Sequence, residues 1–421
     1  MSITFDDWIS MTRIVARPRY MNTLLALLDT PQIKVLKGVR RCGKSTLLDA
    51  LALELAQRGV PASNILKRRF DDFTTPLDPD ARWLMGICQD AAQTLAPGHP
   101  WYVLFDEIQE VEGWEQVVRR LETRGNVQIY LTGSNAQVLS SDLTTFIAGR
   151  YVEVDVPPLS FGEYRDFCGQ RAWTFDTVAD QLLHYLAFGG MPGIFDYEPH
   201  DIDGIQRMLS GIYDAVIVKD VARHARIADY DLLEKLIRYA FHTSGSLLST
   251  RNIVNALASA GRKTSSETVD SYLKSLCSAL IMATCEQEGI AGKEVLRPQR
   301  KYYAVDTGLR NLLWGLGQSH DIGFELENAV FNELVRRGYR VSVGALPKGE
   351  VDFVARRGAE CLYVQVSLSV LDERVFERET APLNAVGDSF PKLVVTLDAA
   401  RTGTTASGVQ IRTAQEWLLD G

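Results

Sequence analysis

The chain has 421 residues, 46% of them apolar, and a formal net charge of −8; that length accommodates about three domains, and the acidic balance excludes a polycation that grips nucleic acid along its whole surface. No apolar run approaches a membrane span, and the first twenty residues carry early acids without the apolar core or cleavage pattern of a secretory signal. The six cysteines are scattered without a C-x-x-C and the six histidines without an H-E-x-x-H, which fits reduced thiols in a cytoplasmic protein and neither a disulfide frame nor a zinc site.

A helical pattern over Tyr20–Leu28 precedes an apolar run, Ile33–Leu36, that reads as a buried strand. Gly38-Val39-Arg40-Arg41-Cys42-Gly43-Lys44-Ser45 then matches G-x-x-x-x-G-K-[ST] in full, and Thr46-Leu47-Leu48 opens a helix. Strand, loop and helix are the context in which such a match binds phosphates. Glycines let the backbone wrap a phosphate with its N–H groups inward, and the helix N-terminus adds a positive dipole end. Lys44 is suited to neutralise the β- and γ-phosphates of a nucleotide, and the Ser45 hydroxyl to hold Mg2+. Residues Gly38 to Thr46 are therefore the expected cradle for ATP.

Ile65–Phe70 reads as a second strand ending in Asp71-Asp72, followed by a helical stretch around Ala81–Thr94. Trp101-Tyr102-Val103-Leu104-Phe105-Asp106-Glu107 is an apolar strand ending in two acids. Asp106 is placed to hold Mg2+ and Glu107 to polarise an attacking water; the plainer alternative is two acids capping the next helix. Glu110–Leu121 is amphipathic, and Val127–Asn135 is a strand ending in small polar residues, where Ser134 or Asn135 could sit between the acids and the γ-phosphate or simply form a turn. Gly149-Arg150 precedes the alternating strand Tyr151–Val154. A guanidinium there suits a neighbouring subunit's γ-phosphate, with a surface salt bridge as the alternative. Strands alternating with helices predict an α/β core with a parallel sheet, its ligand at the carboxyl ends of the strands.

The segments GVRRCGKST, YVLFDEIQ, LTGSNA, AGRYVEVDVPPLSFGEY and FGGMPGIF, in this order, resemble the AAA-superfamily P-loop ATPases of bacteria and archaea. Within them they resemble the group that carries a winged helix and a C-terminal restriction-endonuclease-like domain. The resemblance implies ATP hydrolysis with Lys44, Ser45, Asp106 and Glu107 in the roles above, a sensor at Ser134 or Asn135, and an arginine finger at Arg150. It also implies that Pro192, in Gly190-Met191-Pro192, abuts adenine from a helical lid; from the residues alone the triplet is equally a helix-breaking turn. The expected domains are an ATPase core over 1–157, the lid over 158–204, a winged helix-turn-helix over 205–315 and an endonuclease-like α/β domain over 316–421. Ser160 and Glu163 have the spacing of a capping box at the first lid helix.

Three helical stretches, Asp231–Ser244, Ser249–Leu257 and Ser265–Leu276, precede two short strands around Leu280–Thr284 and Lys301–Val305 that would bracket a wing. From Ile205 to Arg310 basic residues outnumber acids by about four. Arg262, Lys263, Arg297, Arg300 and Lys301 are the expected grip on DNA phosphates, with protein docking as the alternative. In the last domain, helix Glu327 and strand Asp352 stand where an endonuclease fold holds its metal, but the next motif is Gln365-Val366-Ser367. Gln is a neutral, weaker ligand for a hard cation, and Ser367 carries no positive charge, so an inactive nuclease is expected. Taken together, the sequence predicts an oligomeric ATPase that remodels or translocates DNA, a ring such as a hexamer if Arg150 acts between subunits. A nucleotide-controlled signalling switch that docks a protein is the alternative, and a metal-dependent nuclease a third.

Overall fold

The computed structural model describes residues 15–133, 150–217, 221, 229–290, 299–316 and 321–420. Two compact units divide the chain, Met1–Pro157 with Ser278–Leu280, and Pro158–Cys277 with Ile281–Gly421.

The first unit contains α1 (Pro18–Ala26), β1 (Ile33–Lys37), α2 (Lys44–Gln57), β2 (Ile65–Arg69), α3 (Ala81–Gln93), β3 (Trp101–Asp106), α4 (Trp114–Thr123), β4 (Val127–Gly133) and β5 (Tyr151–Asp155). The five strands form a parallel sheet in the order β2-β3-β4-β1-β5. Both faces are covered, so β3 is buried at all six positions, as strands fed by helical crossovers must be. Ile33, Val35, Val103, Phe105, Ile129 and Leu131 pack on one face with Trp114 and Val117 of α4 and Leu84 of α3. Lys34 lies within this buried strand. Its ammonium donates to Thr30 O at 2.7 Å and Gln128 Oε1 at 2.5 Å, and burial, opposed by Asp29, pulls its pKa down to about 8. The register sets Leu36 beside Thr132 and Phe105 beside Leu131. Strand β4 thus separates the loop-bearing strand from the acid-bearing one.

The second unit opens with helices α5 (Phe161–Gln170), α6 (Val178–Phe188) and α7 (Ile202–Ala215). The capping box forms as expected: the Ser160 hydroxyl accepts from Glu163 N–H at 3.1 Å and the Glu163 carboxylate from Ser160 N–H at 2.9 Å. His184 on α6 accepts from, or donates to, Tyr164 OH at 2.7 Å and contacts Pro199 O at 2.8 Å. Three further helices follow, α8 (Tyr230–His242), α9 (Thr250–Ser259) and α10 (Ser266–Ser278), then the antiparallel pair β6 (Met282–Gly289) and β7 (Arg300–Ala304).

The rest comprises α11 (Thr307–Asn311), α12 (Ile322–Arg336), β8 (Arg340–Ala345), β9 (Glu350–Arg357), β10 (Glu360–Ser367), α13 (Glu373–Ala385), β11 (Lys392–Thr396), β12 (Gly403–Thr404), β13 (Gln410–Thr413) and α14 (Ala414–Leu419). All eight strands join one sheet, β12-β13-β11-β10-β9-β8-β6-β7. The hairpin expected as a wing is therefore the edge of the C-terminal sheet: β6 runs parallel to β8, with Glu286 opposite Ser342. The expected border at 315/316 does not separate two sheets. The cause is packing across it. The Tyr303 ring stacks on Phe331 of α12 at 4.3 Å, and Asn328 accepts from Ala304 N–H at 2.9 Å and donates to Ala304 O at 2.6 Å.

Candidate nucleotide site

The loop after β1 is built around two glycines. A Cβ on Gly38 would lie 2.1 Å from Val156 O and 2.8 Å from Cys42 Sγ, so a side chain there would displace its neighbours, and Gly43 has φ +103°, a backbone that strains any other residue. Arg41 is also left-handed, at φ 64°. Helix α2 starts at Lys44 with no side-chain cap, which leaves its first N–H groups to an anion. The Lys44 side chain is folded back into the loop, almost fully buried. Its ammonium donates to Gly38 O at 2.8 Å and Val39 O at 3.2 Å. Arg17 clamps the loop from outside, donating to Cys42 O and to Pro157 O, both at 3.0 Å. Its guanidinium also lies 4.3 Å from the Tyr20 ring centroid.

Asp106 and Glu107 stand at the carboxyl end of β3, on the same edge of the sheet as the loop. The Thr132 hydroxyl, from the intervening β4, donates to Asp106 Oδ1 at 2.5 Å and accepts from Glu107 N–H at 3.0 Å. Glu107 has φ 53°, ψ 46°, a strained backbone for a non-glycine residue, and its carboxylate accepts from the Gln109 side chain. All three of Asp106, Glu107 and Thr132 are buried. The Thr132 hydroxyl thus bridges the Asp106 carboxylate and the Glu107 backbone. Beside them, Arg69 at the end of β2 pairs with Asp71, Nη2 to Oδ2 at 2.9 Å.

The donor set suits a nucleotide with Mg2+: a hard hydroxyl and carboxylate in Ser45 and Asp106, an uncapped helix end and an ammonium that donates to the neutral carbonyls of Gly38 and Val39. The structure thus brings together Gly38–Thr46, Asp106 and Glu107. Arg17, Thr132 and Gln109 were not singled out from sequence; only Thr132 left a signal, as a polar residue at the end of an apolar strand.

Ser134, Asn135 and Arg297 fall outside the described residues. Arg150 is exposed at the amino end of β5, where its carbonyl accepts from Ile33 N–H at 2.9 Å. It is separated from the loop by the length of β1, about 13 Å at ~3.3 Å per residue, and its Nη1 lies 3.3 Å from both Glu122 oxygens. It therefore cannot serve its own chain's loop. Pro192 starts a short 3-10 turn in the second unit, after Gly190, whose N–H donates to Asp306 Oδ2 at 2.7 Å. Of the expected DNA contacts, Lys263 is exposed. Arg262 is committed to Asp229 and Asp231, and Arg300 pairs with Glu286 at 3.2 Å. Lys301 corrects the sequence expectation: it is buried, because β7 is packed beneath α12 rather than projecting as a wing, and it cannot meet a phosphate backbone.

Comparison with known proteins gives a family context. Residues 30–165 match a family described as an AAA domain, and residues 179–320 one described as a domain of unknown function. An uncharacterized protein of Haemophilus influenzae is 35% identical over 408 residues, spanning 96% of this chain and 99% of its own. One of Methanocaldococcus jannaschii is 27% identical over 319 residues, 73% of this chain and 67% of its own. Among solved structures, a Walker-type ATPase of Pyrococcus abyssi is 16% identical, with a TM-score of 0.45 over 74% of this chain and 98% of that one.

Proposed function

The chain belongs to one family with the Haemophilus influenzae protein and carries an AAA domain over residues 30–165; from that premise we propose that it is a magnesium-dependent ATPase. The observation that carries this is the Thr132 hydroxyl, which ties Asp106 to the Glu107 backbone on the strand between the acids and the Lys44 loop. The loop N–H groups and Lys44 hold the triphosphate, the ammonium exchanging two carbonyls for phosphate oxygens. Ser45 and Asp106 hold Mg2+, which when bound offsets charge on the phosphate oxygens. Glu107 orients a water and accepts its proton as the γ-phosphate bond breaks. Arg150, facing away from its own loop, serves the nucleotide of a neighbouring copy in a ring such as a hexamer.

A DNA-remodelling motor and a slow nucleotide switch share this site and differ in what the second unit contacts. One observation favours the switch: of the basic residues expected on DNA, Lys301 is buried between carboxylates, and Arg262 and Arg300 are paired with acids at the surface. Measuring ATP turnover with and without duplex and branched DNA separates the two, because a motor is stimulated and a switch is not. In the same assay Lys44→Ala abolishes turnover. Its mixture with Arg150→Ala regains activity if the arginine works between copies. Full turnover by Lys44→Ala would overturn the ATPase itself.

A further inference from the structure

The second unit encloses a charged cluster that the nucleotide site does not use. Lys301, from β7, has a side chain only 4% exposed. Its ammonium lies 3.2 Å from Glu327 Oε1 on α12 and 2.9 Å from Glu350 Oε1 on β9. Tyr303 OH, two residues along β7, donates to the same Glu327 oxygen at 2.6 Å. Asp352, on β9, accepts from Val366 N–H at 2.9 Å. Burial works against the lysine's charge, but Glu327, Asp352 and Glu350 outweigh it and hold its pKa above the ordinary value. Burial first and then Glu327 push Asp352 well above the carboxylate range, with Lys301 pulling the other way.

An endonuclease-like fold implies a divalent metal on Glu327 and Asp352, and with the Lys301 ammonium already paired to Glu327 and Glu350 the residues present do not fit one. Gln365 is already used, its Oε1 accepting from Asp352 N–H at 3.2 Å and its Nε2 donating to Glu379 at 3.1 Å. The Ser367 hydroxyl donates to Ser369 O at 2.9 Å. Among the described residues no group of three or more His, Cys, Asp or Glu is arranged to hold a metal ion.

We propose that Lys301 is the resident cation of this cluster: its ammonium, delivered by the β6–β7 hairpin, takes the place of a divalent ion among Glu327, Glu350 and Asp352. The C-terminal sheet then cleaves no phosphodiester, and the hairpin is locked to it by an ion pair a metal cannot displace. An ammonium with three donors satisfies two carboxylates at once without a hydration shell, whereas Mg2+ keeps several waters. The claim is independent of the ATPase site, and its test does not read turnover.

The test titrates the nucleotide-free full chain with Mn2+ and counts bound ions by electron spin resonance. Lys301→Met keeps the stem and removes the charge; it is expected to bind one more Mn2+ per chain than the parent, and Lys301→Met with Asp352→Asn to lose that ion again. A folded Lys301→Met that gains no ion overturns the proposal. Should Lys301→Met not fold, the parent and Glu327→Gln still decide. Equal Mn2+ counts support a site already filled by lysine, and a lower count in Glu327→Gln shows a metal beside the lysine and overturns it. Metal-dependent DNA cleavage by the parent that Asp352→Ala abolishes would overturn it as well.

Discussion

Lys44 and Lys301 are both buried lysines surrounded by oxygen, yet their surroundings make opposite demands. Lys44 is held by two neutral carbonyls, Gly38 O and Val39 O. Both of these partners are neutral, and they lie next to a helix start with no side-chain cap. Such a site attracts an anion. Lys301 is held by two carboxylates, so its charge and its donors are satisfied together, and removing either partner would strand a buried charge. On the proposed reading the first site exchanges partners and the second keeps them. Burial of a lysine therefore says little about function until the charge of its neighbours is known.

The comparison is sharpened first at Glu107. Glu107→Gln keeps the loop and its anion-seeking charge but removes the base, so turnover should fall by about 10²- to 10⁴-fold while bound ATP is retained. Single-turnover hydrolysis and fluorescent-nucleotide binding measure the two, and undiminished turnover would remove Glu107 from its role.

The next effect belongs to the second unit, whose buried groups should govern its pH response. Burial pulls the His184 pKa down from 6.5 to about 4, opposed by its bond to Pro199 O. The unfolded chain then binds the extra proton between those values, so His184 contributes stability that is complete above pH 6.5 and is lost as pH falls towards 4, on the order of 3 kcal/mol. Asp306 acts in the opposite sense. Burial, against the N–H groups of Gly190, Leu309 and Gly308, raises its pKa from 3.8 to about 6, and its contribution is complete below pH 3.8 and lost as pH rises through 6. Urea midpoints of the parent and His184→Gln between pH 7 and 4 isolate the first slope. Parallel curves would break the assignment.

The smallest effect is expected at Thr132→Val, which removes the hydroxyl linking the acids without changing volume much. Turnover should drop about tenfold, the equivalent of ~1.4 kcal/mol, with ATP affinity unchanged. A loss of affinity instead would place Thr132 in binding rather than in positioning.

Much of the candidate nucleotide site was legible because it is local. Gly38, Gly43, Lys44 and Ser45 sit within one turn of chain, and Asp106-Glu107 directly follow an apolar strand, so their types and spacing carry the geometry. Arg17 was not legible: its bonds reach Cys42 and Pro157, 25 and 140 residues away. Lys301 looked like a surface cation for the same reason. Its partners Glu327 and Glu350 come from two other elements, and no local pattern distinguishes a buried charged strand residue from an exposed one. The strands Met282–Gly289 and Arg300–Ala304 were expected near their true positions, but the neighbour they pair with was not.

The sequence by itself determined the phosphate loop, the acid pair and the alternation that makes a parallel sheet, since each follows from steric rules and hydrophobic periods acting over a few residues. Tertiary structure alone decided that β4 intervenes to bring Thr132 between loop and acids, that Arg150 faces away from its own loop, and that one buried lysine is held by carbonyls and the other by carboxylates. Those outcomes depend on which strands become neighbours, and strand pairing is settled by burial and hydrogen bonding between segments far apart in the chain.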